Sequence, residues 1–527
     1  MRKIRHKGFV PVVAVLTVVA LLAPACSSDD ATDAEPSTES TTSDTEAVNR
    51  DGTLHITYDL TQSGNFTFDP TTAPSGSSMD PLWYLVYGRL LRKLSDGNLV
   101  GDLAESAKVT DPNTIEVKVR AGQTWQDGTP FDAAAVKAGL DRNLASGNVG
   151  MFTEPFFKVR SVDVVDPLTV RISFPEGNAP SWFDSFISAT QTTITPATID
   201  TNAPIGAGPM KVGSYRPGEA LTLERYEDFW NASEVGFAGI EMVSVEQAQP
   251  QATLATLQAG QSDMATLPTD QLPGLSGDLE EVVVPDPTRM VQVGFCKRDQ
   301  PLSDPDVRRA ISNAIDRDAI NDAVFAGTTE PAVQLWPEGD RFYNPEVGDV
   351  LDYDPEAARQ ALADAGQPNP QFDMYLLNAL SVPDVGQVVQ QQLKQVGITA
   401  NLKVSADFVG EFMRPKLAGA TIFPPVPNPG AKKLVTLVGL SLSNLCDYVN
   451  PELDALAAEL ATVSSDTQEA QDLWWEIDKL IADETLVIPL LFGSLTGGYD
   501  SSKVDLGGTY PDGLWVFPDI YTSSMVG

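Results

Sequence analysis

Histidine and cysteine are nearly missing from this 527-residue chain, which has two of the first, His6 and His55, and three of the second, Cys26, Cys296 and Cys446. No HExxH and no CxxC can be written, which excludes the commonest metalloprotease and redox designs. His6 lies in a basic leader, so a Ser-His-Asp hydrolase would rest on His55 alone, and His55 sits in an alternating strand pattern that suits a structural histidine. Gly206-Ala207-Gly208 continues as Pro209-Met210-Lys211 and fits neither dinucleotide nor phosphate-loop spacing. Paired carboxylates are no signal for glycosidic chemistry, because 72 acidic residues supply accidental pairs everywhere. The chain therefore reads as a non-enzyme with no catalytic residue, no metal ligand and no cofactor. Positive charge is scarce as well: 35 Lys and Arg leave a formal charge of −37, which repels phosphate backbones and excludes nucleic acid as a partner. No apolar run reaches the ~20 residues of a membrane span.

What is present begins with Arg2, Lys3, Arg5 and Lys7, an apolar run from Phe9 to Leu22, and Ala23-Pro24-Ala25-Cys26. A basic head, a short apolar run and small residues are the order of an export signal, which assigns 1–25 to a signal peptide. Leu22-Ala23-Pro24-Ala25-Cys26 resembles a bacterial lipobox, and the resemblance implies a lipid on Cys26; secretion without a lipid is the alternative. Residues 26–50 are dominated by Ser, Thr, Asp and Glu, the composition of a disordered tether. The remainder is long enough for about three domains or subdomains at ~150 residues each.

The stretch Leu99 to Arg142 is the most informative. Ile115, Val117 and Val119 alternate with Glu116, Lys118 and Arg120, a strand with one buried face. Asp127-Gly128-Thr129-Pro130 supplies a turn, and Asp132 caps a helix from Ala133 to Leu144 whose Val136, Leu140 and Leu144 share a face. Further helices are announced by Asp304-Pro305, Asp354-Pro355 and Asn450-Pro451, and a capping box at Asp466 and Glu469 opens another. Strands are legible at Leu54–Leu60, Leu168–Phe174, Ile240–Val245, Met290–Phe295, Thr399–Val404 and Leu486–Phe492. Alternating signals of this kind predict mixed α/β lobes.

Leu-Ala-acid-Ser at 103–106, then Arg120-x-Gly122, Trp125-x-Asp127-Gly128-Thr129-Pro130-Phe131 and a helix follow one another in an order that resembles the extracytoplasmic solute-binding receptors of the peptide/nickel ABC importers. The resemblance continues in order through Val162 to Pro167, Gly206 to Pro209, Leu223 to Trp230, Val307-Arg308-Arg309-Ala310 to Ala314-Ile315-Asp316-Arg317, Tyr353 to Gly366, Leu393 to Ile398, Asn450 to Asp454 and Val487 to Leu490. It implies a periplasmic-binding-protein-like type II fold, two α/β lobes about a hinged cleft with an extra subdomain. The first lobe would comprise 51–285 with 490–527, the subdomain 80–200, and the second lobe 286–489. A monomer would close over a small solute and deliver it to an ABC permease and its ATPase. A surface lipoprotein that uses the same fold for sensing or envelope interaction is the alternative.

By the same analogy the first-lobe pocket loop follows Phe68-Asp69-Pro70, with Thr72, Ala73, Pro74 and Ser75 as candidate contacts; Met210, Phe295, Trp336, Pro425 and Asn428 complete the candidate set. Dipeptide-binding relatives hold the ligand ammonium with an acidic D-Y-P-D-P segment, where this chain has Phe423-Pro424-Pro425-Val426-Pro427-Asn428-Pro429-Gly430, and they clamp the carboxylate with an Arg near the place of Leu380 to Pro383, which holds no cation. Burying both charges of a free dipeptide uncompensated would cost several kcal/mol, so an oligopeptide or another apolar-rich solute fits better. Cys296 and Cys446 fall in the second lobe, where they form one disulfide or remain two buried thiols.

Overall fold

The computed structural model describes residues 49–61, 66–72, 79–94, 98–145, 159–174, 177, 179–180, 183, 193–246, 249–297, 299–347, 350–378, 381–405, 407–413, 415–423, 434, 444–509 and 516–527. Among them no helix is long and apolar enough to cross a membrane. The export signal, Cys26 and most of the tether lie outside the described residues.

Among the described residues, one sheet of 11 strands carries the architecture. At one end Thr53–Tyr58 runs parallel to Gly239–Ser244 and Met264–Thr266, with Ala220–Arg225 and Met210–Arg216 beyond. At the other, Gln371–Leu377 runs parallel to Thr399–Ser405 and Ala420–Phe423. Two long antiparallel strands, Leu279–Phe295 and Val487–Asp500, join the ends. Gly497–Tyr499 pair with Met264–Thr266, whereas Gln292–Phe295 pair with Ala420–Phe423, so both strands pass from one set to the other. Their register shifts between Asp286 and Met290.

Both crossing strands are longer than the sequence patterns predicted, for physical reasons. The register shift between Asp286 and Met290 falls where Pro287 has no N–H to give the ladder, whereas Pro285 keeps its place opposite Ser494. Gly497 and Gly498 lie in the added part of the second strand. A Cβ on the first would lie 2.6 Å from the Ala265 carbonyl and on the second 2.8 Å from the Leu275 side chain, so the absence of side chains lets neighbours pack against the strand.

The opening segment builds a separate four-stranded antiparallel sheet, Ala104–Asp111, Thr114–Val119, Thr169–Ser173 and Ser161–Asp166, faced by the helix Ala133–Ala145. Ile115, Val117 and Val119 are buried with Val136, Leu140, Val170 and Ile172, each burial worth about 1.5–3 kcal/mol. Asp132 accepts from the Ala134 and Ala135 amides, as expected of the cap. Gln126 explains the glycine-rich loop: it accepts from Gly206 N and donates to the Gly208 and Met210 carbonyls, while a Cβ on Gly206 would fall 1.7 Å from Val86 O. That loop is a packing device.

Asp304, Asp354 and Asn450 cap their helices through side-chain oxygens, each with proline in the first turn. One expected cap is corrected. Thr467, not Asp466, receives the Ala470 amide, because Asp466 is engaged by the Ser464 hydroxyl.

Asp102 is fully buried between Trp230 Nε1 and the Arg89 amide, each 3.4 Å away. Burial outweighs those hydrogen bonds and the charges of Arg92 and Arg120, and pushes its pKa from 3.8 up to about 6. A raised carboxyl pKa means that the fold favours the protonated form, so this residue's contribution to stability is full in acid and falls as pH rises through 4 to 6. Asp102→Asn should therefore match the wild type near pH 4 and gain on it up to about 3 kcal/mol by pH 7, read from urea midpoints across pH.

Candidate binding cleft

Parallel strands in open α/β sheets present ligand sites beyond their carboxyl ends. Here those ends are Tyr58, Ser244 and Thr266 on one side and Leu377, Ser405 and Phe423 on the other, with the crossing strands between.

The first wall is organised by Asp69. Its Oδ1 accepts from the Thr71 amide and hydroxyl at 3.0 and 2.7 Å, and its carbonyl receives the Thr72 amide and hydroxyl. Its Oδ2 is 2.6 Å from Arg142 Nη2 on the helix Ala133–Ala145. Burial would raise the Asp69 pKa, but Arg142 and Thr71 hold it below the ordinary carboxylate value. Tyr87 Oη donates to Phe68 O and Trp83 Nε1 to Thr67 O, so the stretch Phe66–Thr72 is pinned from beneath. A residue of the small sheet unit thus shapes the wall of the main sheet.

An aromatic cluster packs beside the other set of strand ends. Tyr375 stacks on Phe412 at 4.5 Å, Phe408 meets Phe412 at 5.2 Å, and Met413 and Phe423 join the same buried cluster. Phe412 and Met413 sit in a wide π-type turn, Val409–Met413. Ser381, at the start of the helix Val382–Gln395, has φ 61°.

The structure distributes the candidate contacts unevenly. Thr72 is exposed on the first wall. Met210 and Phe295 are corrected: each is enclosed in a different hydrophobic core and offers no surface to a solute. Trp336 likewise packs edge-on against Trp474 at 5.0 Å, inside the core. Ala73, Pro74, Ser75, Pro425 and Asn428 lie outside the described residues. Cys296 and Cys446 are bonded as a disulfide, with Cα atoms 5.2 Å apart. His55 is held in its strand by Asp263, whose Oδ2 is 2.8 Å from Nδ1 and whose Oδ1 is 2.9 Å from Lys503 Nζ. Arg142 and Asp69 were missed as a pair. Half of the signal was readable: Asp59-x-Thr61, Asp69-x-Thr71 and Asp127-x-Thr129 all place a threonine two residues after an aspartate, and all three form the same turn.

The family model described as bacterial extracellular solute-binding proteins, family 5 Middle, matches residues 98–418. The chain belongs to that family. Glutathione-binding protein GsiB of Escherichia coli strain K12 is 27% identical over 452 residues, covering 79% of this chain and 83% of its own. Among solved structures, the oligopeptide-binding protein AppA of Bacillus subtilis in complex with a nonapeptide superposes with TM-score 0.72 at 20% identity, covering 91% of this chain and 99% of its own. The dipeptide-binding protein from Pseudoalteromonas sp. SM9913 in complex with Met-Leu gives 0.74 at 17%, covering 90% and 100%. The fold of this family-5 protein is accordingly the type II periplasmic-binding one, two α/β lobes about a cleft with an added subdomain.

Proposed function

We propose that this family-5 protein is a lipid-anchored receptor, attached through Cys26 to the outer face of the cell membrane, that carries an oligopeptide or another apolar-rich solute to an ABC permease and performs no catalysis. Residues 51–285 with 490–527 form one lobe and 286–489 the other; solute bridges them and shifts an open population to a closed one. The acid-free, proline-rich sequence Phe423 to Gly430, which follows the carboxyl end of the strand Ala420–Phe423, carries this reading. The sequence of 423–430 contains no acid to hold an ammonium, and the Phe408, Phe412 and Phe423 rings beside it are buried against one another, so this end of the cleft is backed by apolar packing and carries no charge of its own. GsiB and AppA, named for peptide ligands, support a peptide-like solute.

Native mass spectrometry of protein taken from its host, followed by a thermal-shift panel of peptides and metabolites, tests the proposal. An apolar oligopeptide should raise the melting temperature, by RT ln(1 + [L]/Kd) in free energy. If only free charged dipeptides do so, the solute class is wrong; if no solute of a broad panel does, the receptor reading fails. The intact mass reports the lipid on Cys26.

A further inference from the structure

Lys297 follows the disulfide residue Cys296 and is 8% exposed. Its Nζ lies 4.4 Å from the centroid of the Tyr448 ring. Among the described residues it makes no hydrogen bond and no ion pair, so three N–H donors meet one π face and no acceptor. The charge beside it is a second cation. Burial, and then Arg308, hold the Lys297 pKa well below the usual lysine value.

Arg308 is buried too, with Nε on Thr485 O at 2.8 Å, one terminal nitrogen on Leu302 O at 2.9 Å and the other on Glu484 O. The carboxylates of Glu484 and Asp304 are near enough to favour its charge, but neither forms an ion pair with Arg308 or Lys297 among the described residues. Asp447 is engaged by Lys416. The sequence from 424 to 446 contains no Asp or Glu at all. Lys297 and Arg308 are thus buried near one another with no carboxylate ion-paired to either among the described residues. Burying an ammonium without counter-charge costs several kcal/mol, and an ion from solution removes that cost.

We propose that Lys297, Arg308 and Tyr448 form a binding site for a small inorganic anion, separate from the interlobe cleft. The separation follows from topology: Cys296 N donates to Gly419 O, at the end of Ala420–Phe423 away from Phe423 and the cleft, roughly 13 Å along the strand. A bound anion would tie the segment Asn444–Tyr448 to the last turn of the helix Gln468–Glu484, where Arg308 holds the terminal carbonyls.

Thermal unfolding in sodium chloride and sodium sulfate, with ionic strength kept constant by sodium gluconate, tests this. Screening stabilises so acidic a chain generally, so the readout is the difference between wild type and Lys297→Met. The wild type should show a saturable rise in melting temperature, and Lys297→Met should lose it while melting higher in gluconate alone. Equal increments in both proteins overturn the proposal. The chloride NMR line width supplies a readout on the unaltered protein: wild-type protein should broaden the line and sulfate should reverse the broadening. A line left sharp overturns the site even where the variant fails to fold.

Discussion

Replacing Cys296 and Cys446 together by serine is expected to lower stability by about 3–5 kcal/mol. The bond joins residues 150 positions apart, and chain-entropy reasoning gives about 5 kcal/mol for closing a loop of that length. Native geometry supports a value near that limit, since both cysteines are buried and Cys296 is fixed by its amide bond to Gly419 O. The measurement is urea unfolding with and without dithiothreitol. Reductant should bring the wild type down to the double variant and leave the double variant where it was. A wild type indifferent to reductant, with the variant equal to it, would show that the cross-link contributes nothing. The bridge lies within the segment assigned to the second lobe, so its loss should weaken that lobe without prying open the cleft.

The pairing of those cysteines could not be read from sequence, whereas much of the scaffold could. Ile115, Val117 and Val119 declared a strand because alternation is a local property of six residues, and Asp304, Asp354 and Asn450 declared helix starts because a cap acts within three. The crossing strands were half legible. Their proline- and glycine-containing portions are extended only because a partner strand forgives or requires the missing groups, and a partner hundreds of residues away leaves no local mark. Met210 and Phe295 failed as cleft candidates for a related reason: an apolar residue beside a turn or at a strand end has the same sequence signature whether it faces a ligand or a core. Asp69 and Arg142 meet across 73 positions, and nothing near either names the other. Placement of the walls was therefore carried by family order, and their chemistry by the fold.

Arg317 carries the other large expected effect. It opens the helix Arg317–Phe325, capped by Asp316, and its guanidinium is buried among acceptors that belong to different parts of the chain. Nε donates to Ala332 O and to Pro489 O, both at 2.9 Å, and one terminal nitrogen donates to Ser312 Oγ at 2.9 Å. Pro489 lies on a crossing strand and Ala332 just after the short strand Glu330–Pro331 paired with it, so one side chain ties helix to hinge-bearing sheet. Burial draws its pKa down from 12.5 to about 10, which leaves it charged at neutral pH. Arg317→Ala removes every donor at once and opens a cavity, and should cost about 3–5 kcal/mol in urea unfolding at pH 7. Arg317→Met fills the volume but still orphans the carbonyls, so it should recover only the cavity's share, about 1–2 kcal/mol. If Met restored the whole loss, the hydrogen bonds would be worth nothing net and the side chain would act by bulk alone. Saturating solute should raise both variants by the same increment as wild type, because Arg317 stiffens a lobe and does not touch the cleft.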